Sequence, residues 1–138
     1  MKPLKLVSLA LAALLTLAGC APATSPSSAL LQIVASTNVW GDVAKQVGGN
    51  FVEVTSIIDD ENKDPHSYEA SARDQLAVEK ANLVIANGGG YDDFIEKLVE
   101  AAGNKQMFRV NSSVTAVSWQ DNEHLWYSIS AVGETAYS

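Results

Sequence analysis

Residues 82–90, Asn-Leu-Val-Ile-Ala-Asn-Gly-Gly-Gly, decide the fold class of this chain. A short apolar run with branched side chains is typical of a buried β-strand, and the three glycines stop it. Comparable runs occur at 31–36, 51–57 and 106–111. The sequence therefore predicts four short strands separated by longer connections.

The connections between these strands carry helical signals. The first follows Asn38, a predicted N-cap, and its apolar residues fall at i, i+3, i+4 and i+7: Trp40, Val43, Ala44 and Val47. Ser71 and Asp74 form a capping-box pattern that predicts a helix through about Ala81. A third stripe, closed by Gly103, contains Phe94, Ile95, Leu98 and Val99.

The alternating order of strands and helices predicts the α/β class. We expect a parallel four-stranded sheet with right-handed crossovers and helices on both faces. The predicted lobe covers residues 31–128, and residues 129–138 begin one more helix. We consider the strand order 2-1-3-4, in which the loops that carry the two histidines are long enough to meet.

The composition excludes several classes of protein. The chain has 138 residues, of which 47% are hydrophobic, with nine Lys and Arg against sixteen Asp and Glu and a net charge of −7. A nucleic-acid-binding protein would need a basic face, and a disordered chain would have fewer apolar residues. A single cysteine excludes a disulfide scaffold.

The amino terminus predicts export and a lipid anchor. Residues 1–19 join a basic head to a short apolar run, as in a secretory signal peptide. The run ends in Leu-Ala-Gly-Cys at 17–20, which resembles the bacterial lipobox. We expect Cys20 to be lipidated, and the Pro- and Ser-containing residues 20–30 to form a flexible tether.

The two histidines of the chain lie in loops predicted at one edge of the sheet. His66 lies within Asp-Pro-His-Ser-Tyr-Glu at 64–69, and His124 lies within Asn-Glu-His-Leu-Trp-Tyr at 122–127. Imidazole is a common ligand of transition-metal ions, and a nearby carboxylate often orients the ring. We expect Asp64 or Glu69 to orient His66.

Other interpretations of these motifs stay open. A single histidine is more often an ordinary surface residue than a ligand. Gly88 to Gly90 predict a tight turn, because the phosphate-binding glycine patterns are missing. Metal-assisted hydrolysis is disfavoured because no HExxH cluster or evident general base accompanies the histidines. The chain is therefore not expected to be an enzyme.

Several segments together resemble the cluster 9 solute-binding proteins of bacterial zinc and manganese ABC importers. The resemblance covers about residues 31 to 135 and depends on these stretches: 33–38, 47–49, 64–69, 73–74, 81–84 and 87–88. It implies one lobe of a two-lobed fold similar to periplasmic binding proteins, in which a metal ion lies between lobes joined by a long helix.

The resemblance implies metal ligands at His66 and His124. Asn122 and Glu123 stand where the family's second motif has Asp-Pro, which leaves the local loop geometry open. The other two family ligands come from the second lobe. We therefore expect an amino-terminal lobe only, from a fragment, a truncated gene product or a partial gene model, with residues 129–138 starting the linker helix.

The resemblance also implies a function. We expect the extracytoplasmic, membrane-anchored component of an ABC importer for zinc, or alternatively manganese. Its partners would be the metal ion and a membrane permease, with the chain acting as a monomer and without nucleic acid. A surface adhesion lipoprotein or a non-functional fragment are the alternatives.

Overall fold

A computed structural model describes residues 29–103, 106–113 and 122–138. Its four strands form one sheet in the order β2-β1-β3-β4, and every neighbouring pair is parallel. The α/β class and the strand order considered from the sequence are confirmed. The strands are β1 (Leu31–Thr37), β2 (Val52–Ile58), β3 (Leu83–Ala86) and β4 (Met107–Arg109).

Helices occupy the connections. They are α1 (Asn38–Gly48), α2 (Ala72–Lys80), α3 (Asp93–Ala102), α4 (Val110–Ser113) and α5 (Ile129–Ala136). Single 3-10 turns form at Gly49–Phe51, Pro65–Ser67 and Leu125–Tyr127. Among the described residues, no helix combines the length and the apolar character needed to cross a membrane.

The sheet is covered on both faces, as predicted. Val34 of β1 packs in a core with Val78 of α2 and Ile95 of α3. The neighbouring Ile33 and Ala35 belong to a second core on the other face, because successive side chains of a strand alternate between faces. That second core also contains residues of α1, α4 and α5 and of the last 3-10 turn: Trp40, Val110, Ala131 and Leu125.

The helix ends agree with two of the sequence signals and contradict a third. The capping box is confirmed, since the Asp74 amide donates to Ser71 Oγ at 3.3 Å and the Ser71 amide donates to Asp74 Oδ2 at 2.7 Å. Gly103 ends α3 with a φ of 64°. The predicted cap at Asn38 is wrong, because β1 runs directly into α1 and Thr37 holds the N-cap position without a side-chain hydrogen bond.

The fourth strand is shorter than the sequence predicts. Its pattern extends through Asn111, but pairing stops at Arg109, where α4 begins. Val110, which is fully buried, turns into the core that contains Trp40. Burial of this side chain therefore takes precedence over continued pairing with β3.

An apolar groove of about 430 Å³ lies along α1 and the end of α5. Val47, which belongs to the apolar stripe predicted for α1, lines this groove and is 61% exposed. The other lining residues include Trp40, Val43, Phe108 and Ala136, and none of the described lining residues is a histidine or an acid. The groove is therefore separate from the candidate metal ligands.

Candidate metal centre

A 3-10 turn over Pro65–Ser67 presents His66. Asp64 caps this turn, because its carboxylate accepts hydrogen bonds from the His66 amide at 3.0 Å and from Ser67 Oγ at 3.1 Å. Pro65, at the first position of the turn, fixes its own φ at a value that suits the turn. Asp64 thus orders the backbone that carries His66, and not the ring as we expected from the sequence.

The orientation of the His66 ring depends on the glycine turn after β3. Its Nδ1 lies 3.2 Å from the carbonyl oxygen of Gly90. A carbonyl can only accept, so Nδ1 carries the hydrogen and Nε2 of the neutral ring keeps its lone pair. The ring partner is therefore Gly90, and not Asp64 or Glu69. The side chain is 47% exposed, which leaves it accessible to an ion from solvent.

Asn122 orients His124 in a similar way. Its Oδ1 accepts from the His124 amide at 2.9 Å and lies 2.8 Å from His124 Nδ1. Because a backbone amide only donates, the shared Asn122 atom is the oxygen, and Nδ1 must donate to it. The Nε2 lone pair is again left available. The following turn is anchored by Leu125, which is 3% exposed.

Tyr91 contacts both imidazoles. Its ring centroid lies 5.2 Å from that of His66 and 5.6 Å from that of His124, both in edge-to-face geometry. Trp126 contacts the tyrosine from a third direction, at 5.0 Å. Burial raises the pKa of Tyr91, and the neighbouring negative charges of acids, Asp92 first among them, act in the same direction. The half-buried aromatic ring is thus a neutral spacer for the two histidines.

The predicted tight turn at Gly88, Gly89 and Gly90 is present, with φ values of 76°, 70° and 90°. Only glycine adopts such values without steric cost. The Asp92 carboxylate holds the turn by accepting from the Asn87 amide at 2.7 Å and the Gly88 amide at 2.8 Å. Both amides are thereby occupied, which does not suit a phosphate cradle. Burial raises the pKa of Asp92, although these hydrogen bonds oppose the rise.

Asn87 joins this turn to the loop of His124. The fully buried side chain accepts a hydrogen bond from Trp40 Nε1 at 2.9 Å. Its amide group donates to the Gly88 carbonyl at 3.1 Å and to the Glu123 carbonyl at 2.9 Å. The bonds to Trp40 and Glu123 link separate parts of the chain, so the sequence offered no local signal for them.

The structure brings His66 and His124 to the same rim of the sheet. One oxygen of Glu123, Oε1, lies 3.5 Å from His66 Nε2 and 3.8 Å from His124 Nδ1. Within the described ranges, no three His, Cys, Asp or Glu side chains are already arranged around a metal position. The His124 nitrogen nearest Glu123 is Nδ1, which donates to Asn122. The predicted lipidation site, Cys20, lies outside the described residues.

The contributions of Gly90, Tyr91 and Asn87 were not predicted, and for Glu123 the sequence showed only that an acid stands beside His124. Tyr91 directly follows the glycines at the sheet edge where the histidine loops were placed, which was a signal for its contribution. Chemically, two imidazole lone pairs beside a carboxylate suit zinc or another divalent transition-metal ion, including manganese in a mixed nitrogen and oxygen site.

Comparison with known proteins identifies the family of this chain. The sequence model of the family described as ZnuA, zinc-uptake complex component A, periplasmic, matches residues 33–137. The chain belongs to the ZnuA family. The resemblance inferred from the sequence motifs is confirmed at the level of this family of solute-binding proteins.

Curated relatives of this ZnuA-family chain are metal-binding lipoproteins. The manganese-binding lipoprotein MntA of Bacillus subtilis is 31% identical over 134 residues, which cover 90% of this chain and 44% of the relative. The manganese ABC transporter substrate-binding lipoprotein scaA of Streptococcus gordonii is 29% identical, covering 94% of this chain and 47% of the relative. The chain thus spans less than half the length of these relatives.

Solved structures show the same relation. A crystal structure of ZnuA superimposes with a TM-score of 0.68 at 24% identity, covering 79% of this chain and 44% of that chain. FpvC from Pseudomonas aeruginosa, solved in complex with Mn²⁺, gives a TM-score of 0.67 at 25% identity and covers 79% and 42% respectively. The shared fold is that of one lobe of a periplasmic binding protein of this family.

Proposed function

We propose that this chain is the metal-binding component of an ABC importer for zinc or manganese, with His66 and His124 as its ligands. The observation that carries the proposal is the paired orientation of the two rings. Each ring commits Nδ1 to an oxygen acceptor, Gly90 for His66 and Asn122 for His124. This pattern fixes the tautomer that leaves Nε2 free to bind a metal ion.

The surroundings support capture of an ion at this rim. The aromatic rings of Tyr91 and Trp126 flank the imidazoles, so the ligands are held against apolar surface while their side chains stay accessible. Fixed ligands lose little conformational freedom when the ion binds. The metal is the transported substrate here, and no catalytic step is involved.

The identity of the ion follows from donor chemistry. Imidazole nitrogen suits zinc, whereas carboxylate oxygen is the harder donor that manganese prefers. Zinc is our first assignment because both proposed ligands are histidines, and manganese is the alternative. The family description supports zinc, while the names of the two curated relatives support manganese.

We further propose that the chain acts outside the cytoplasm, anchored through a lipid on Cys20 beside a membrane permease. Residues 1–19 would be the signal peptide, 20–30 the tether, 31–128 the metal-binding lobe and 129–138 the start of a linker helix. The lipoprotein names of the relatives support this arrangement. Cys20→Ser should then release the chain from the membrane fraction and abolish its labelling by radioactive palmitate.

Isothermal titration calorimetry with Zn²⁺ and Mn²⁺ tests the ligand assignment. The full chain, purified in a mild detergent, would be compared with His66→Ala and His124→Ala. We expect each variant to bind both ions at least about tenfold more weakly, because each removes one metal bond. Lys97→Ala, at an exposed position of α3, is the matched control. Parental affinity in both histidine variants would defeat the proposal.

A further inference from the structure

We propose that Glu123 is an additional metal ligand contributed by this lobe and that it binds the ion together with His66. This inference rests on the proposed function. Glu123 occupies a position at which the resembling family motif has proline, so a carboxylate here is a feature of this chain. The side chain is 35% exposed and faces the same rim as the two imidazoles.

The first argument is the chemistry of the two facing atoms. His66 Nδ1 donates to Gly90, so Nε2 of the neutral ring is an acceptor, and the carboxylate oxygen of Glu123 is also an acceptor. They face each other at 3.5 Å. A charge-assisted hydrogen bond would bring such atoms to about 2.7–2.9 Å. The observed pair is therefore longer than a strong ion pair, and a cation between the two atoms would be favourable.

The second argument is the separation itself. Zinc binds imidazole nitrogen at about 2.0–2.1 Å and carboxylate oxygen at about 2.0–2.2 Å, in tetrahedral geometry. Two donors of such a site therefore lie about 3.4 Å apart. The distance of 3.5 Å between His66 Nε2 and Glu123 Oε1 matches this value. The two atoms need little movement to share one ion.

The third argument is that the backbone of Glu123 is fixed. Its carbonyl accepts the hydrogen bond from the buried Asn87 amide at 2.9 Å, and its carboxylate is directed back toward both histidines. Because the backbone is tied to the end of β3, the carboxylate is held near His66 before any ion arrives. Two groups of the same turn thus position the two proposed metal ligands. The Gly90 carbonyl orients His66, and the Asn87 side-chain amide holds the backbone of Glu123.

Calorimetry with Zn²⁺ and Mn²⁺ on the full chain tests the assignment. We expect Glu123→Gln to weaken binding at least about tenfold and Glu123→Asp to weaken it to a similar extent, since its carboxylate is one methylene shorter. If Glu123 acted through its charge alone, Glu123→Asp would keep the parental affinity, and that result would overturn the assignment. Glu100→Gln removes an exposed acid of α3 and should leave affinity unchanged.

Cobalt spectroscopy supplies a direct readout. Exchange of a carboxylate ligand changes the visible d–d absorption of bound Co²⁺, so Glu123→Gln should alter that spectrum and Glu100→Gln should not. An unchanged spectrum of bound Co²⁺ in Glu123→Gln would overturn the inference. Parental metal affinity in His66→Ala and His124→Ala would defeat the proposed function. Loss of binding in those variants, with parental affinity in Glu123→Gln, would defeat only the role of Glu123.

Discussion

The side-chain amide of Asn87 donates a hydrogen bond of 2.9 Å to the backbone carbonyl of Glu123. Asn87 directly follows β3, whereas Glu123 precedes the turn at Leu125–Tyr127. The same buried side chain accepts from Trp40 of α1. One asparagine therefore connects the packing of α1, the glycine turn and the loop that carries His124.

Asn87→Ala should lower the free energy of unfolding by about 3 kcal/mol, because it leaves buried polar partners, including Trp40 Nε1, without their hydrogen bonds. Urea unfolding followed by circular dichroism measures the change. Asn38→Ala, at the exposed first position of α1, should change stability by less than about 0.5 kcal/mol. Equal losses in the two variants would contradict the role of Asn87.

Tyr91→Ala should weaken zinc binding about tenfold, an effect comparable to the loss of a group that orients a metal ligand. Tyr91→Phe keeps the ring between the imidazoles and should bind within about twofold of the parent, on the same reasoning. Titration calorimetry separates the two variants. Tyr137→Ala, at a position that is 94% exposed, is the control. A strong effect of Tyr91→Phe would assign the role to the hydroxyl.

Gly88→Ala should destabilise the chain and weaken metal binding together. Gly88 has a φ of 76°, and an added Cβ would collide with the side-chain amide of Asn111. The backbone strain alone costs about 1–2 kcal/mol. Gly133→Ala provides the contrast, since it lies in α5 with open space around it and should stabilise the chain by about 0.5–1 kcal/mol. Thermal unfolding compares both variants.

Low pH should destabilise the start of α2, because Asp74 becomes protonated. Burial raises its pKa, but hydrogen bonds from Ser71 and Tyr68 outweigh this effect and hold the pKa below 3.8. An acid with a depressed folded pKa stabilises the fold above its unfolded value and loses that contribution as pH falls through the folded value.

The stability difference between the parent and Asp74→Asn should therefore be full above pH 3.8 and shrink as the pH falls below it. Denaturant unfolding at a series of pH values measures this difference. Asp42→Asn removes an exposed acid of α1 and serves as the comparison. A constant difference between the parent and Asp74→Asn across the acid range would contradict the assignment.

Local patterns predicted most of the fold. The four apolar runs, the Ser71 capping box and Gly103 each act within a few residues, so a single sequence shows them. Asn38 was misassigned because its cap propensity carried no information that β1 continues through Thr37. The early end of β4 depends on burial of Val110 against distant residues, which no local pattern records.

The candidate site was predicted only in part. Topology placed His66 and His124 at one rim, because parallel strands direct their following loops to the same edge. The orienting groups follow from contacts between loops far apart in the chain, as with Gly90 and His66. Asp64 or Glu69 was expected to orient the His66 ring, yet the Asp64 carboxylate accepts from the His66 amide and caps the turn that carries His66. Such competition between nearby acceptors is decided only by the folded geometry.

The apolar groove along α1 has a practical consequence for handling this chain. Dyes such as anilinonaphthalene sulfonate fluoresce when they bind exposed apolar surface, and they are commonly used to report loosened packing. A groove of about 430 Å³ lined by Trp40, Val43 and Phe108 offers them such surface in the native molecule. Dye-based melting curves should therefore start with a high signal, and far-ultraviolet dichroism is the better readout of unfolding.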